Sequence, residues 1–177
     1  MSDRNSLQQL TAAGMIAAAY AALALAAAPV SFGTVQCRIS EALTLLPVLS
    51  PAAVWGVTLG CAITNTAGVS TGANFLGALD ILCGTLATLA AAWLSRRWRE
   101  IRFYGMPLLS VLPPVLLNAV IVGAEWCWAL TGELCGFFWP VMGQIALGQL
   151  PPCLLGAWLV RLLERRGLGN IIEGGHL

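Results

Sequence analysis

Residues 75–102 read FLGALDILCGTLATLAAAWLSRRWREIR. The first twenty positions carry one charged side chain, Asp80, and arginines then follow at 96, 97, 99 and 102. At 1.5 Å per residue a twenty-residue α-helix is about 30 Å long, the thickness of a bilayer's hydrocarbon core. The arginines that close the run do not follow it into lipid, and an excess of basic residues marks the cytoplasmic side of a crossing. The segment therefore reads as a membrane span that ends on the inner face.

The rest of the chain extends that reading. Hydrophobic residues make up 58% of the 177 and charged residues 10%, with a mean hydropathy of +0.81, whereas soluble domains carry about 25% charged residues. So little charge cannot cover a water-facing surface, which makes the lipid bilayer the solvent. Further apolar runs at 7–30, 39–49, 51–64, 106–128 and 138–163 predict an all-α integral membrane protein, a bundle of about six transmembrane helices forming a single domain over 1–177. The runs 39–49 and 51–64 are short and read equally as tilted spans or as a re-entrant pair, and neither choice changes the sidedness. Ala26-Ala27-Ala28 has the look of a signal-cleavage site. However, the run before it is long and Asp3 beside Arg4 leaves its leading end without net positive charge, so it is expected to stay as a span.

Ser50-Pro51 predicts an N-cap followed by proline at the first helical position. Pro113-Pro114 and Pro151-Pro152 predict kinks in the fifth and sixth spans. With both termini cytoplasmic, the arginine patches at 96–102 and 161–166 face inward together. Trp93, Trp98 and Trp158 then form an inner aromatic belt and Trp126, Trp128 and Trp139 an outer one.

Several functions are excluded. The chain has no lysine, so the phosphate-binding motif G-x-x-x-x-G-K-[ST] cannot occur and ATP-driven work needs another chain. A net charge of +1 argues against a nucleic-acid partner. The only histidine is His176 and the only aspartate in a span is Asp80, so no enzyme, metal or cofactor chemistry is expected. The six cysteines lack a C-x-x-C pair and read as small packing residues, although Cys127 and Cys135 fall near one face.

Polar groups at membrane depth are costly and usually face the protein interior. Asn118 lies about 20 Å up the fifth span from its inner end, and Glu125 follows seven residues later on the same face. Asp80 enters one turn below the outer start of the fourth span and Gln144 two turns down the sixth. Arg38 and Glu41 flank the outer start of the second, and Asn65 opens a polar loop, 65–74, at that same end. With Trp126 nearby, these residues predict a pocket open to the outside, lined by carboxylates, amides and one guanidinium. The plainer alternative is a set of interhelical hydrogen bonds and an Arg38–Glu41 pair at i, i+3. In the first span, Ala13, Ala17 and Ala21, and beside them Ala18 and Ala22, form small-x-x-x-small stripes that suit close approach of another helix, from this chain or from a partner.

Three stretches then carry a family resemblance: Ser31-Phe32-Gly33 through Arg38-Ile39-Ser40-Glu41-Ala42-Leu43-Thr44-Leu45-Leu46-Pro47; Asp80-Ile81 with Gly84-Thr85-Leu86-Ala87-Thr88-Leu89; and Leu112-Pro113-Pro114-Val115-Leu116-Leu117-Asn118-Ala119-Val120-Ile121-Val122-Gly123. In this order the chain resembles the QueT family, substrate-binding S-components of energy-coupling factor (ECF) transporters. The resemblance implies a six-helix S-component in the cytoplasmic membrane of a prokaryote. Such a protein captures a queuosine precursor, a 7-deazaguanine base or queuine, from outside. It would dock through the alanine stripe onto a T-component carrying two ATPase subunits. Family members often have Gly-Glu where this chain has Gly148-Gln149, a departure that weakens the case for a cationic aminomethyl base.

A deazaguanine presents N1–H and an exocyclic amine as adjacent donors, which a carboxylate accepts in bidentate fashion. Glu41, Asp80 or Glu125 is the expected acceptor, Asn118 or Gln144 the expected partner of the base carbonyl, and a tryptophan the stacking surface. A self-sufficient, ion-coupled secondary transporter for a small polar solute stands as the alternative. Buried acids can couple protons or cations, although no inverted repeat is evident.

Overall fold

The computed structural model describes residues 2–31, 37–74, 76–133 and 136–167. The elements are α1 (Ser2–Ala26), α2 (Ala28–Ser31), the 3₁₀ helix η1 (Ile39–Val48), α3 (Pro51–Ser70), α4 (Ala78–Arg97), a 3₁₀ turn η2 (Leu108–Val111), α5 (Leu112–Thr131) and α6 (Phe138–Arg165). Among the described residues, five segments are long and apolar enough to cross a membrane: Ser6–Ala26, Pro51–Ser70, Ala78–Arg97, Leu108–Thr131 and Phe138–Arg165. The sixth expected span is the short apolar helix η1.

The 3₁₀ geometry of η1 stretches its ten residues. At about 2.0 Å per residue, ten residues reach about 20 Å, where an α-helix would reach about 15 Å. One end of η1 carries Arg38, which reaches Asp80 in the first turn of α4. At the other end Arg96, in the last turn of α4, donates from Nη1 to the Pro47 carbonyl over 2.9 Å. The short helix thus runs the length of α4 inside the bundle. Eight of its ten residues are buried, from Ser40 to Val48, which makes it the central post around which the long helices stand.

Close approaches fix its neighbours. The Ala42 carbonyl lies where a Cβ on Gly156 of α6 would sit, and the Cys153 sulfur is 4.0 Å from the Glu41 carbonyl. Leu45, Leu46, Val48 and Leu49 share one apolar cluster with Ala53, Val111, Val115, Ala157 and Val160. Helix α3 meets α1 through two glycines. A Cβ on Gly56 would lie 2.9 Å from the Ala13 carbonyl, and one on Gly60 would lie 2.7 Å from Tyr20 Cβ and 3.0 Å from the Ala17 carbonyl.

The expected cap on α3 is present: Ser50 Oγ accepts from the Ala52 amide at 3.3 Å, with Pro51 in the first turn. The expected end of α3 is corrected, because the helix continues to Ser70 and Asn65 lies on it instead of in a loop. Thr64, Thr66 and Ser70 each return a side-chain hydrogen bond to the carbonyl four residues back, which satisfies their hydroxyls within the helix. The kink expected at Pro113-Pro114 is also corrected. These prolines stand in the first turn of α5, after η2, where a missing N–H leaves no helical bond unmade. Helix α6 continues through Pro151 and Pro152.

At the arginine-rich end, Ser95 and Ser110 exchange hydrogen bonds, each hydroxyl donating to the other's carbonyl at 2.8 and 2.9 Å. Arg102 forks onto both oxygens of Glu164, at 3.0 and 2.8 Å. Trp93, Trp128, Trp139 and Trp158 are exposed, as belt residues should be, but Trp126 is buried. Cys61, Cys127 and Cys153 are buried, whereas Cys135 and His176 lie outside the described residues.

Candidate functional site

The polar end of η1 is organised by Arg38. Its Nε donates to the Ser31 carbonyl at 3.1 Å, Nη1 to Asn65 Oδ1 at 3.1 Å and Nη2 to Asp80 Oδ2 at 3.4 Å. One guanidinium thereby ties α2, α3 and α4 together. Asn74 donates to the same Asp80 oxygen at 2.6 Å, and Asn65 donates to the Asp80 carbonyl at 2.9 Å. A Cβ on Gly84 would lie 2.7 Å from both Asn65 Nδ2 and Asp80 Oδ1, so a glycine is needed beside the network. The Arg38–Glu41 pair considered from spacing is not the ion pair seen among the described residues. Arg38 instead pairs with Asp80, and Glu41 Oε1 accepts from the Tyr20 hydroxyl at 2.6 Å.

Burial without pairing sets several acceptors apart. Among the described residues, Glu41 Oε2, Asp80 Oδ1, both oxygens of Glu125 and Gln149 Oε1 are buried with no hydrogen-bond partner. A buried polar atom left unpaired costs about 1–3 kcal/mol, so a cluster of them marks a place where a solute or water completes the bonding. Glu125 is 7% exposed, and the charges of Asp80 and Arg38 act on it. Glu41 acts on Arg38 in the same way. Three acids and one guanidinium thus share one electrostatic neighbourhood.

Gln149 is brought toward the same interior by its helical neighbours. Ile145, one turn before it, packs in a cluster with Leu76, Ala119, Val122 and Trp126. Cys153, one turn after it, approaches the Glu41 carbonyl. Gln149 therefore stands between the Trp126 cluster and η1. Asn118 is buried on α5 with Val122, Glu125 and Trp126.

Of the residues expected from sequence, Arg38, Glu41, Asn65, Asp80, Asn118, Glu125 and Trp126 are all buried. Gln144 is corrected: it is exposed and does not join them. At 100° per residue, Gln144 and Gln149 point about 140° apart. The buried face of α6 is Ile145, Gly148, Gln149, Pro152, Cys153 and Gly156, which turns Gln149 inward and Gln144 out. Tyr20 was missed as well. Its signal lies in α1, where it shares a buried face with Ala17, Ala21 and Ala24 at i, i+3, i+4 spacing.

The docking stripe is split. Ala17 and Ala21 are buried and Ala13 half-buried, with the Ala13 and Ala17 carbonyls set against the glycines of α3. That face is already occupied by this chain. Ala18 and Ala22 are exposed, in line with exposed Gly14 and Ala26 at four-residue spacing.

The unpaired buried oxygens of Glu41, Asp80, Glu125 and Gln149 are all hydrogen-bond acceptors. Neither a search of curated proteins nor a search of solved structures finds a match to the chain. The model of the QueT transporter family matches residues 10–165, nearly the whole chain, and with its membrane-length helices and buried acceptor cluster the protein belongs to the QueT transporter family.

Proposed function

We propose that this multi-pass membrane transporter is the substrate-binding S-component of an ECF-type importer in the cytoplasmic membrane of a prokaryote. In this reading the chain crosses the bilayer six times, with η1 as the sixth crossing and both termini cytoplasmic. It captures a 7-deazaguanine-type base from outside and hands it inward on a T-component driven by two ATPase subunits. The observation that carries the reading is the set of buried acceptor oxygens on Glu41, Asp80, Glu125 and Gln149 that find no partner among the described residues. A 7-deazaguanine edge supplies the complementary donors.

Among the three acids, Glu125 suits the bidentate role best. Tyr20 already holds one oxygen of Glu41, and Arg38 and Asn74 hold one oxygen of Asp80. Only Glu125 offers two unpartnered oxygens, which two adjacent N–H donors require. Trp126, next to it and buried, supplies a stacking surface, worth roughly 1–3 kcal/mol by analogy with base stacking on aromatic side chains. Gln149 replaces Gln144 as the amide facing the solute, beside Asn118. The exposed row Gly14, Ala18, Ala22 and Ala26 replaces the Ala13-Ala17-Ala21 row as the docking surface for the T-component.

A thermal-shift panel of 7-deazaguanines, queuine and guanine on purified protein tests the reading. A ligand at one hundred times its Kd stabilises the folded state by about 2.7 kcal/mol. A dose-dependent rise with at least one deazaguanine is expected, and a flat response across the panel contradicts the assignment.

A further inference from the structure

We propose that the arginine-bearing end of α4 is a binding site for the headgroup of an anionic diacyl phospholipid. A groove of about 400 Å³ at that end is lined by Trp93, Arg96, Arg97, Arg99 and Glu100. Three guanidiniums face one carboxylate. Glu100 is turned onto Arg99, Oε1 accepting from Nε at 2.9 Å, in a pair whose partners are 39% and 83% exposed. An exposed pair of this kind is weak and readily exchanged. Arg97 is exposed, and Arg96 is anchored through the Pro47 carbonyl, so the groove combines a fixed cation with movable ones.

A second observation says which anion fits. Along α4 the exposed residues Leu79, Leu82, Leu86, Ala90, Trp93 and Arg97 fall at three- and four-residue spacing and so share one face. From Leu86 to Arg97 the rise is about 16 Å, half the hydrocarbon thickness of about 30 Å. The face therefore offers an apolar track one leaflet deep that leads directly into the arginine groove, with Trp93 at the boundary. That is the outline of a phospholipid: acyl chains on the leucines, glycerol level at the indole, phosphate on the guanidiniums. A free phosphate would use only the groove.

The basic residues at the end of α6 make a poorer site. Glu164 is there engaged by Arg102, and Arg161 lies 3.6 Å from the Cβ that Gly105 would carry, leaving Arg165 and Arg166 as the exposed cations of that end.

The test is native mass spectrometry of the full chain released from nanodiscs holding equal amounts of phosphatidylglycerol and phosphatidylcholine with matched acyl chains. Wild type is expected to retain one phosphatidylglycerol at least tenfold over phosphatidylcholine. The double variant Arg97→Gln/Arg99→Gln, at one exposed and one half-buried position, should lose most of that preference, about fivefold per arginine. Arg165→Gln/Arg166→Gln should keep it. Equal retention of the two lipids by wild type overturns the proposal without needing a variant, as does an equal loss in the α6 variant. Inorganic phosphate or glycerol 3-phosphate binding as tightly as the lipid, and displacing it, overturns it in favour of a free-phosphate site.

Discussion

The Tyr20 hydroxyl donates to Glu41 Oε1 over 2.6 Å, while the other oxygen of that carboxylate, fully enclosed, has no partner among the described residues. A helix with nine alanines among its twenty-five residues thus reaches into the bundle to hold half of an acid. Loss of that hydroxyl leaves a second buried oxygen unsatisfied at nearly constant side-chain volume. Tyr20→Phe should therefore destabilise the folded protein by about 1–3 kcal/mol, measured as a lowered midpoint in thermal or denaturant unfolding in detergent. An unchanged midpoint would mean that the 2.6 Å contact contributes nothing to stability.

Arg38 contacts Ser31, Asn65 and Asp80 through three different nitrogens. An ammonium is a point charge and cannot reproduce that fork. Arg38→Lys should lose stability, and Arg38→Ala should lose more, about 3–5 kcal/mol, because Asp80 is then buried without its cation. Arg38→Ala/Asp80→Ala should recover part of the loss. Unfolding midpoints of the four proteins form the double-mutant cycle, and strict additivity would argue against a direct pair.

The contact of α1 with α3 depends on the absence of a side chain at Gly60. Gly60→Ala places a Cβ 2.7 Å from Tyr20 Cβ, and overpacking of this kind costs about 1–3 kcal/mol. Gly143→Ala, with nothing within 4 Å of the added carbon, should be neutral or mildly stabilising, since alanine favours the helix by up to about 1 kcal/mol. Thermal stability of the pair separates packing from propensity.

The two glutamines of α6 provide a matched test of which face meets the solute. Gln149→Leu should weaken deazaguanine binding severalfold by removing a buried amide, whereas Gln144→Leu should leave it unchanged. Isothermal titration on each variant gives the answer. Weaker binding in the Gln144 variant alone would return the site to the face expected from sequence.

The long spans were legible because a twenty-residue apolar run closed by arginines has few other readings. Residues 75–94 were expected to span, and α4 occupies Ala78–Arg97. Inward placement was legible too, in that Asp80, Asn118 and Glu125 are all buried. Rotation about the helix axis was not. In a chain where most residues are apolar, polar side chains do not by themselves define a face, so Gln144 was expected at the site and Gln149 was not. The small residues Gly148 and Gly156 carried the missing information, and only the Ala42 carbonyl against Gly156 makes it readable. The conformation of η1 was hidden for another reason. Ten residues buried on nearly every side leave no periodic contrast to distinguish a 3₁₀ helix from an α-helix.

Equilibrium binding of a 7-deazaguanine to wild type and to Glu125→Gln tests the central claim most directly. The glutamine keeps the volume but turns one acceptor into a donor that faces the base's own N–H groups. Wild type should bind, and Glu125→Gln should bind about 10- to 150-fold more weakly, the equivalent of about 1.5–3 kcal/mol for a charged hydrogen bond, with its ligand-free melting temperature undiminished. Full affinity in the Glu125→Gln protein would contradict the claim that this carboxylate receives the solute.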